Sequence, residues 1–168
     1  MNKNSPNAPP NAYAWHLFRI VTGIVSQRYA ATMQRQTRLL DRVLSLAAIV
    51  SNETSNLESQ ARYHNVLDGI PGLTDHIRQA HSNMALLDQA FSVPIYLARS
   101  SPRDVMVTLE NGDRASVSSL QLEMILCLDT AGRIMDAMDR DLCRIYEDRD
   151  EGSRRLIVLW SRQASLYT

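Results

Sequence analysis

The sequence predicts a mainly α fold, a long-helix bundle or helical hairpin with a small β-hairpin insertion. Three observations carry that expectation. From Met124 to Ile145 the residues Met124, Leu128, Ala131, Met135, Met138, Leu142 and Ile145 advance by alternating steps of four and three, which is a heptad packing seam. A second heptad pattern runs from Phe18 to Val50. Between Val105 and Val117 the helical period gives way to alternation of β-favouring residues around Asn111-Gly112, a hairpin signal.

The elements follow in chain order. Residues 1–11 hold four asparagines and three prolines with nothing to bury, so a disordered tail is expected. A helix over about 12–50 comes next. Phe18, Val25, Tyr29, Thr32, Leu39, Val43, Leu46 and Val50 lie in register, and Leu57 continues it. With Tyr29, Val43 and Val50 at position a, the d positions fall on Val25, Leu39 and Leu46. Thr32 and Gln36 weaken the middle of this seam, and Gly23 costs about 1 kcal/mol relative to alanine inside a helix.

The run "SNETSNLES" interrupts the pattern after Val50. Ser55 and Glu58 have capping-box spacing, which predicts a new helix over about 55–68; continuous helix through Ser51 is the alternative. "GIPG", Gly69 to Gly72, reads as a stop. Thr74 is then the cap of a helix over about 74–92, with Ile77, Ala80, Met84, Leu87 and Phe91 inward and Pro94 closing it. The β-hairpin occupies about 105–117. Because two strands alone are marginal in water, it must lean on helices or gain a third strand. "LIVLW", Leu156 to Trp160, is a candidate strand and equally a candidate helix, so 153–168 stays open as strand or short helix. Ser118 with Gln121 makes another capping box, opening the clearest helix, about 118–149, with Gly152 as its stop. Ile125 and Ile134 broaden its seam, which suits burial among several helices, packed antiparallel or as a bundle.

Composition bounds the rest. At 168 residues, 45% hydrophobic and 21% charged, the chain suffices for one domain with a core and is short for two, so 12–168 reads as a single helical domain. No apolar run approaches the roughly 20 residues of a membrane helix, and the start lacks the apolar centre of a signal peptide. A cytoplasmic location, or export by a dedicated route without a signal peptide, is expected. Cys127 and Cys143 are sixteen positions apart on one predicted helix. That is about 24 Å of rise, beyond disulfide reach.

The net charge is zero, but it is unevenly spread. Residues 1–50 hold six basic residues against Asp41 alone, whereas 104–168 hold eight arginines and twelve acids. Opposite-signed ends favour meeting, within one molecule or between two. Arg28, Arg35 and Arg42 recur every seven residues at heptad position g, from which they can reach acids on a neighbouring helix. Asp139 and Asp141 are the candidate partners, with Arg38 on the same basic stretch. The candidate packing seams are Leu39, Val43, Leu46 and Val50 on the first helix and Met124, Leu128, Met135, Met138 and Leu142 on the last.

No catalytic or metal-binding pattern stands out. Asp136, Asp139 and Asp141 in "DAMDRD" lack the second acidic cluster that two-metal chemistry requires, and Arg133, Arg140 and Arg144 interleave them as on a solvated ion-pair face. His64 and Asp68 are a turn apart, and His76 and His81 have the wrong spacing for two ligands on one face. There is no Glu-x-x-His, glycine-rich phosphate loop, Gly-x-Ser-x-Gly or Cys-x-x-Cys. No catalytic residue, metal or cofactor is therefore expected. The seven methionines, Met124, Met135 and Met138 on one seam, read as core filling rather than an adaptable docking groove.

The expected function is a non-enzymatic helical protein–protein interaction or assembly module, with a protein partner or a homo-oligomer. One alternative is a substrate or accessory protein of a specialised bacterial secretion system, since the Asn/Ser/Pro tail resembles the export tails such systems accept. The other is nucleic-acid binding through Arg28, Arg35, Arg38 and Arg42. Against that stand their spacing of a turn or two and the neutral chain, because phosphate grooves call for a denser patch.

Overall fold

The computed structural model describes residues 11–52, 57–92 and 99–164, with side chains described through Glu151 apart from those at 48, 49, 51, 52 and 92. Residues 1–10 of the expected tail, the Ser55 cap and Pro94 lie outside the described residues. Among these there are three helices, α1 (Ala12–Asn52), α2 (Leu57–Ser92) and α3 (Val117–Ala164), and two strands, β1 (Met106–Thr108) and β2 (Arg114–Ser116). The fold is mainly α, with long helices packed together and a small antiparallel hairpin.

The chain divides into two compact units. Met1–Gln34 with Thr74–Gly132 form unit 1, and Arg35–Leu73 with Arg133–Thr168 form unit 2. Each helix contributes a segment to each unit.

In unit 1 the core gathers Phe18 and Val25 from α1, Ala80 and Leu87 from α2, and Val117, Leu120, Met124, Cys127 and Leu128 from α3. The α1 and α3 segments run parallel, since Gln121 meets Phe18 and Arg28 meets Asp129. The α2 segment runs the other way, with Phe91 beside Phe18 and His81 beside Tyr29. The hairpin leans on this core through Val105, Val107, Leu109 and Ala115, and no third strand joins it among the described residues. Its turn contains the expected Asn111-Gly112 pair. Gly112 N donates to Leu109 O at 3.0 Å, and Leu109 N to Asp113 O at 2.8 Å, which makes a three-residue loop, Glu110 to Gly112. Only Gly112 has positive φ, at 86°, as such loops require of their last residue. Asn111 Oδ1 accepts from Asp113 N at 3.1 Å, fixing the turn from the side-chain end.

The helix cap differs from the expected one. Ser116 Oγ, at the end of β2, accepts from Ser119 N at 3.0 Å, so Ser116 caps α3 and Ser118 already lies within it. Gln121 is thereby freed to donate across to α1, to Phe18 O at 3.0 Å and Thr22 Oγ1 at 2.7 Å.

In unit 2 the buried apolar residues are Leu39, Val43 and Leu46 of α1, Val66 and Leu73 of α2, and Met135, Met138, Leu142 and Ile145 of α3. Val50 is half-buried, and Leu57, expected to continue the seam, is 82% exposed. "GIPG" does not stop the helix. α2 runs unbroken from Leu57 to Ser92 with Pro71 inside it, so the predicted helices 55–68 and 74–92 are one, and Thr74 is interior. Proline removes a helix bond and crowds the preceding turn, at about 3 kcal/mol. Here Pro71 is exposed, while Val66 and Leu73 on either side are fully buried, and their packing holds the helix across it. The glycines serve contact instead of a turn. A Cβ on Gly69 would lie 3.4 Å from Met138 Cγ and Sδ, and one on Gly72 would lie 3.8 Å from Ile134 Cδ1.

Gly152 likewise fails to end α3, which continues to Ala164. One glycine costs a helix interior only about 1 kcal/mol. Leu156 to Trp160 is therefore helical rather than a strand.

Candidate functional site

The arginines at heptad spacing meet acids of α3 in each unit. In unit 1, Arg28 Nη2 bonds Asp129 Oδ1. In unit 2, Arg35 Nη2 bonds Asp136 Oδ1 and Asp139 Oδ2, both at 2.7 Å, and Arg42 Nη1 bonds Asp139 Oδ1 at 2.6 Å. Arg42 Nη2 also lies 3.8 Å from Cys143 Sγ, and its guanidinium sits 6.0 Å from the Tyr146 ring centre. The separations 28–129, 35–136 and 42–143 all equal 101 positions, as parallel segments in heptad register require. Cys143 stands where a third acid would fall, so Arg42 reaches back one turn to Asp139.

These groups are half-exposed, which limits each pair to at most about 1 kcal/mol. The bonds from Asp139 and then Asp136 raise the Arg35 pKa above its ordinary value, outweighing desolvation. Asp141 and Arg38 make no ion pair among the described residues; Arg38 is exposed. Among the described residues no group of three His, Cys, Asp or Glu side chains gathers as metal ligands would, and no helix is long and apolar enough to cross a membrane.

A different surface in unit 1 went unnoticed in the sequence. Tyr13, Leu17, Ile20 and Ile24 advance by four, three and four along α1, yet all four are exposed, Tyr13 at 74% and Ile24 at 60%. They form a second heptad row on the outer side of α1, turned away from the buried row of Phe18, Thr22 and Val25. The one Lys, Arg, Asp or Glu between Tyr13 and Gln27 is Arg19, and its guanidinium lies 5.7 Å from the Phe91 ring centre.

Beside this row lies a groove of about 490 Å³. One wall is Leu17 and Val21 of α1, the other Ser118 and Gln121 of α3, and Ser101, Pro102 and Arg103 close one end. The loop forming that end is pinned on several sides. Trp15 Nε1 donates to Ser100 O at 2.8 Å, and Asn11 Nδ2 to Arg99 O at 3.0 Å. Ser118 N donates to Pro102 O at 3.3 Å. The Asp104 carboxylate accepts from Ser101 Oγ at 2.6 Å and Ser101 N at 3.1 Å, and these bonds hold its pKa below the ordinary value.

From Ser118 on the groove, the α3 row continues through Leu122 and Leu126 to Asp129, which bonds Arg28. Leu122 and Leu126 are 58% and 55% exposed. Exposed apolar side chains therefore stand on both α1 and α3 within unit 1. Neither a known protein family nor a characterised protein nor a solved structure matches the chain.

Proposed function

We propose that the protein is a helical interaction module whose recognition surface is the outer face of α1 together with the adjoining α3 row. The observation that carries this reading is the exposed, uncharged row Tyr13, Leu17, Ile20 and Ile24. A four-three-four apolar row is the pattern by which one helix packs on another. A contiguous exposed apolar patch of this kind marks an interaction site more often than an ordinary surface. The arginines contribute differently from the sequence expectation. Arg28, Arg35 and Arg42 are engaged by carboxylates of their own chain, which supports a role in holding α1 against α3 and weighs against phosphate recognition.

The test is the size of the native chain in extract of its source cells, by gel filtration with immunodetection. The wild type is expected in a complex larger than its 19.0 kDa, and Ile24→Asp is expected to elute as the free chain with unchanged circular dichroism. If the wild type elutes at 19.0 kDa both in extract and after purification, the reading is wrong.

A further inference from the structure

We infer that the outer face of α1 docks on the same face of a second copy of this chain, antiparallel about a two-fold axis between Leu17 and Ile20. This rests on the interaction reading above and names the partner it leaves open.

Four features of the surface select a second copy. The row carries no charge, so docking it on itself buries no unpaired charge and opposes no like charges. The chain's net charge of zero adds no long-range repulsion between copies. The steps four, three, four read the same in both directions, so a two-fold axis sets Leu17 against Ile20 and Tyr13 against Ile24, as a self-complementary interface requires. Finally, the extent suffices. With Leu122 and Leu126, the six side chains leave roughly 600 Å² of apolar surface open, the top of the range for the largest patch on a monomer. The ~800 Å² per partner of a stable interface includes the polar rim around such a patch.

The antiparallel direction follows from the helix ends. The first turn of α1 holds no acidic residue, so its partial positive charge is uncompensated there. A parallel pair would set two such ends together, whereas an antiparallel pair sets them apart. Gly23 borders the row, and a Cβ built on it meets nothing within 4 Å of its own chain, so intramolecular packing does not require it. Its missing side chain leaves room for a second helix to approach.

The purified full-length chain tests this by light scattering from 1 to 100 μM. The expected mass is twice 19.0 kDa. Ile20→Asp and Ile24→Asp should each weaken dimerisation at least 100-fold, because each places two charges in the symmetric interface, with circular dichroism unchanged. Ile24→Ser gives the same direction without a charge if an aspartate variant fails to fold. Direction is read by mild oxidation in a Cys143→Ser background. Ile20→Cys should form an intermolecular disulfide. Tyr13→Cys should not, since eleven residues of helix place its two copies about 16 Å apart along the axis. A monomer at every concentration, a dimer indifferent to Ile20 and Ile24, or a disulfide at Tyr13→Cys instead of Ile20→Cys would each overturn the proposal. A purified monomer that still enters an Ile24-dependent complex in extract would remove the second copy while leaving the interaction reading standing.

Discussion

Arg35 and Asp139 are bonded at 2.7 Å, and Arg42 reaches the other oxygen of the same carboxylate at 2.6 Å. One acid of α3 thus holds two arginines of α1, seven residues apart. Asp139→Asn removes the charge from both bonds at once. Its side chain is 30% exposed, and those of Arg35 and Arg42 are 41% and 38%, so solvent screening limits the loss to about 0.5–1 kcal/mol. Urea denaturation should show that loss at low salt and a smaller one in 1 M salt, where the Debye length falls to about 3 Å. A salt-independent difference would mean the carboxylate acts through packing.

The apolar rows carry far more. Leu39 and Met135 are almost fully buried, and truncating either to alanine should cost about 2–5 kcal/mol. Leu44→Ala, at a side chain 71% exposed, should fall within about 0.5 kcal/mol of wild type. Equal losses at Leu39 and Leu44 in the same denaturation series would contradict the burial pattern.

Two substitutions should stabilise the chain. Pro71→Ala restores a helix bond at an exposed position of α2 and should gain about 1–3 kcal/mol. Gly132→Ala adds a methyl group that meets nothing within 4 Å and should gain up to about 1 kcal/mol. Gly69→Leu should destabilise, because a Cβ there already touches Met138. Thermal melts of the three variants check both directions.

The two thiols should react in sequence. Cys143 is exposed and Cys127 is buried, and burial, with the nearby Glu123 charge, raises the Cys127 pKa. At pH 8 a thiol reagent should therefore modify one cysteine promptly, identified by mass spectrometry as Cys143, and Cys127 only in denaturant. Prompt modification of both would show that the unit 1 core opens readily.

How far the sequence disclosed this arrangement depends on the kind of signal. Burial of Met124, Leu128, Met135, Met138 and Leu142 followed from their spacing alone, because long apolar repeats leave few alternatives. Local punctuation misled at "GIPG" and at Gly152, where buried neighbours or plain helix continuity outweighed a breaker. The capping box at Ser118 misplaced the cap of α3 by two residues, since Ser116 offered the same chemistry from the strand end. Asp129 and Asp136 were visible as a seven-residue repeat matching Arg28 and Arg35. Pairing them needed the parallel direction of α1 and α3, which no local pattern encodes. The row from Tyr13 to Ile24 was also written in the chain. The opposite row through Phe18 and Val25 already accounts for the helix, and only exposure tells the inward row from the outward one.

Two apolar rows run along α1, one buried in the chain and one exposed, and the exposed row is the one proposed to dock. Sedimentation velocity on Ile24→Asp, with its urea midpoint measured on the same sample, tests that proposal most directly. The prediction is loss of the associated species with the midpoint of the dissociated chain unmoved. An associated species that persists, or a midpoint that falls as it does for Leu39→Ala, would contradict it.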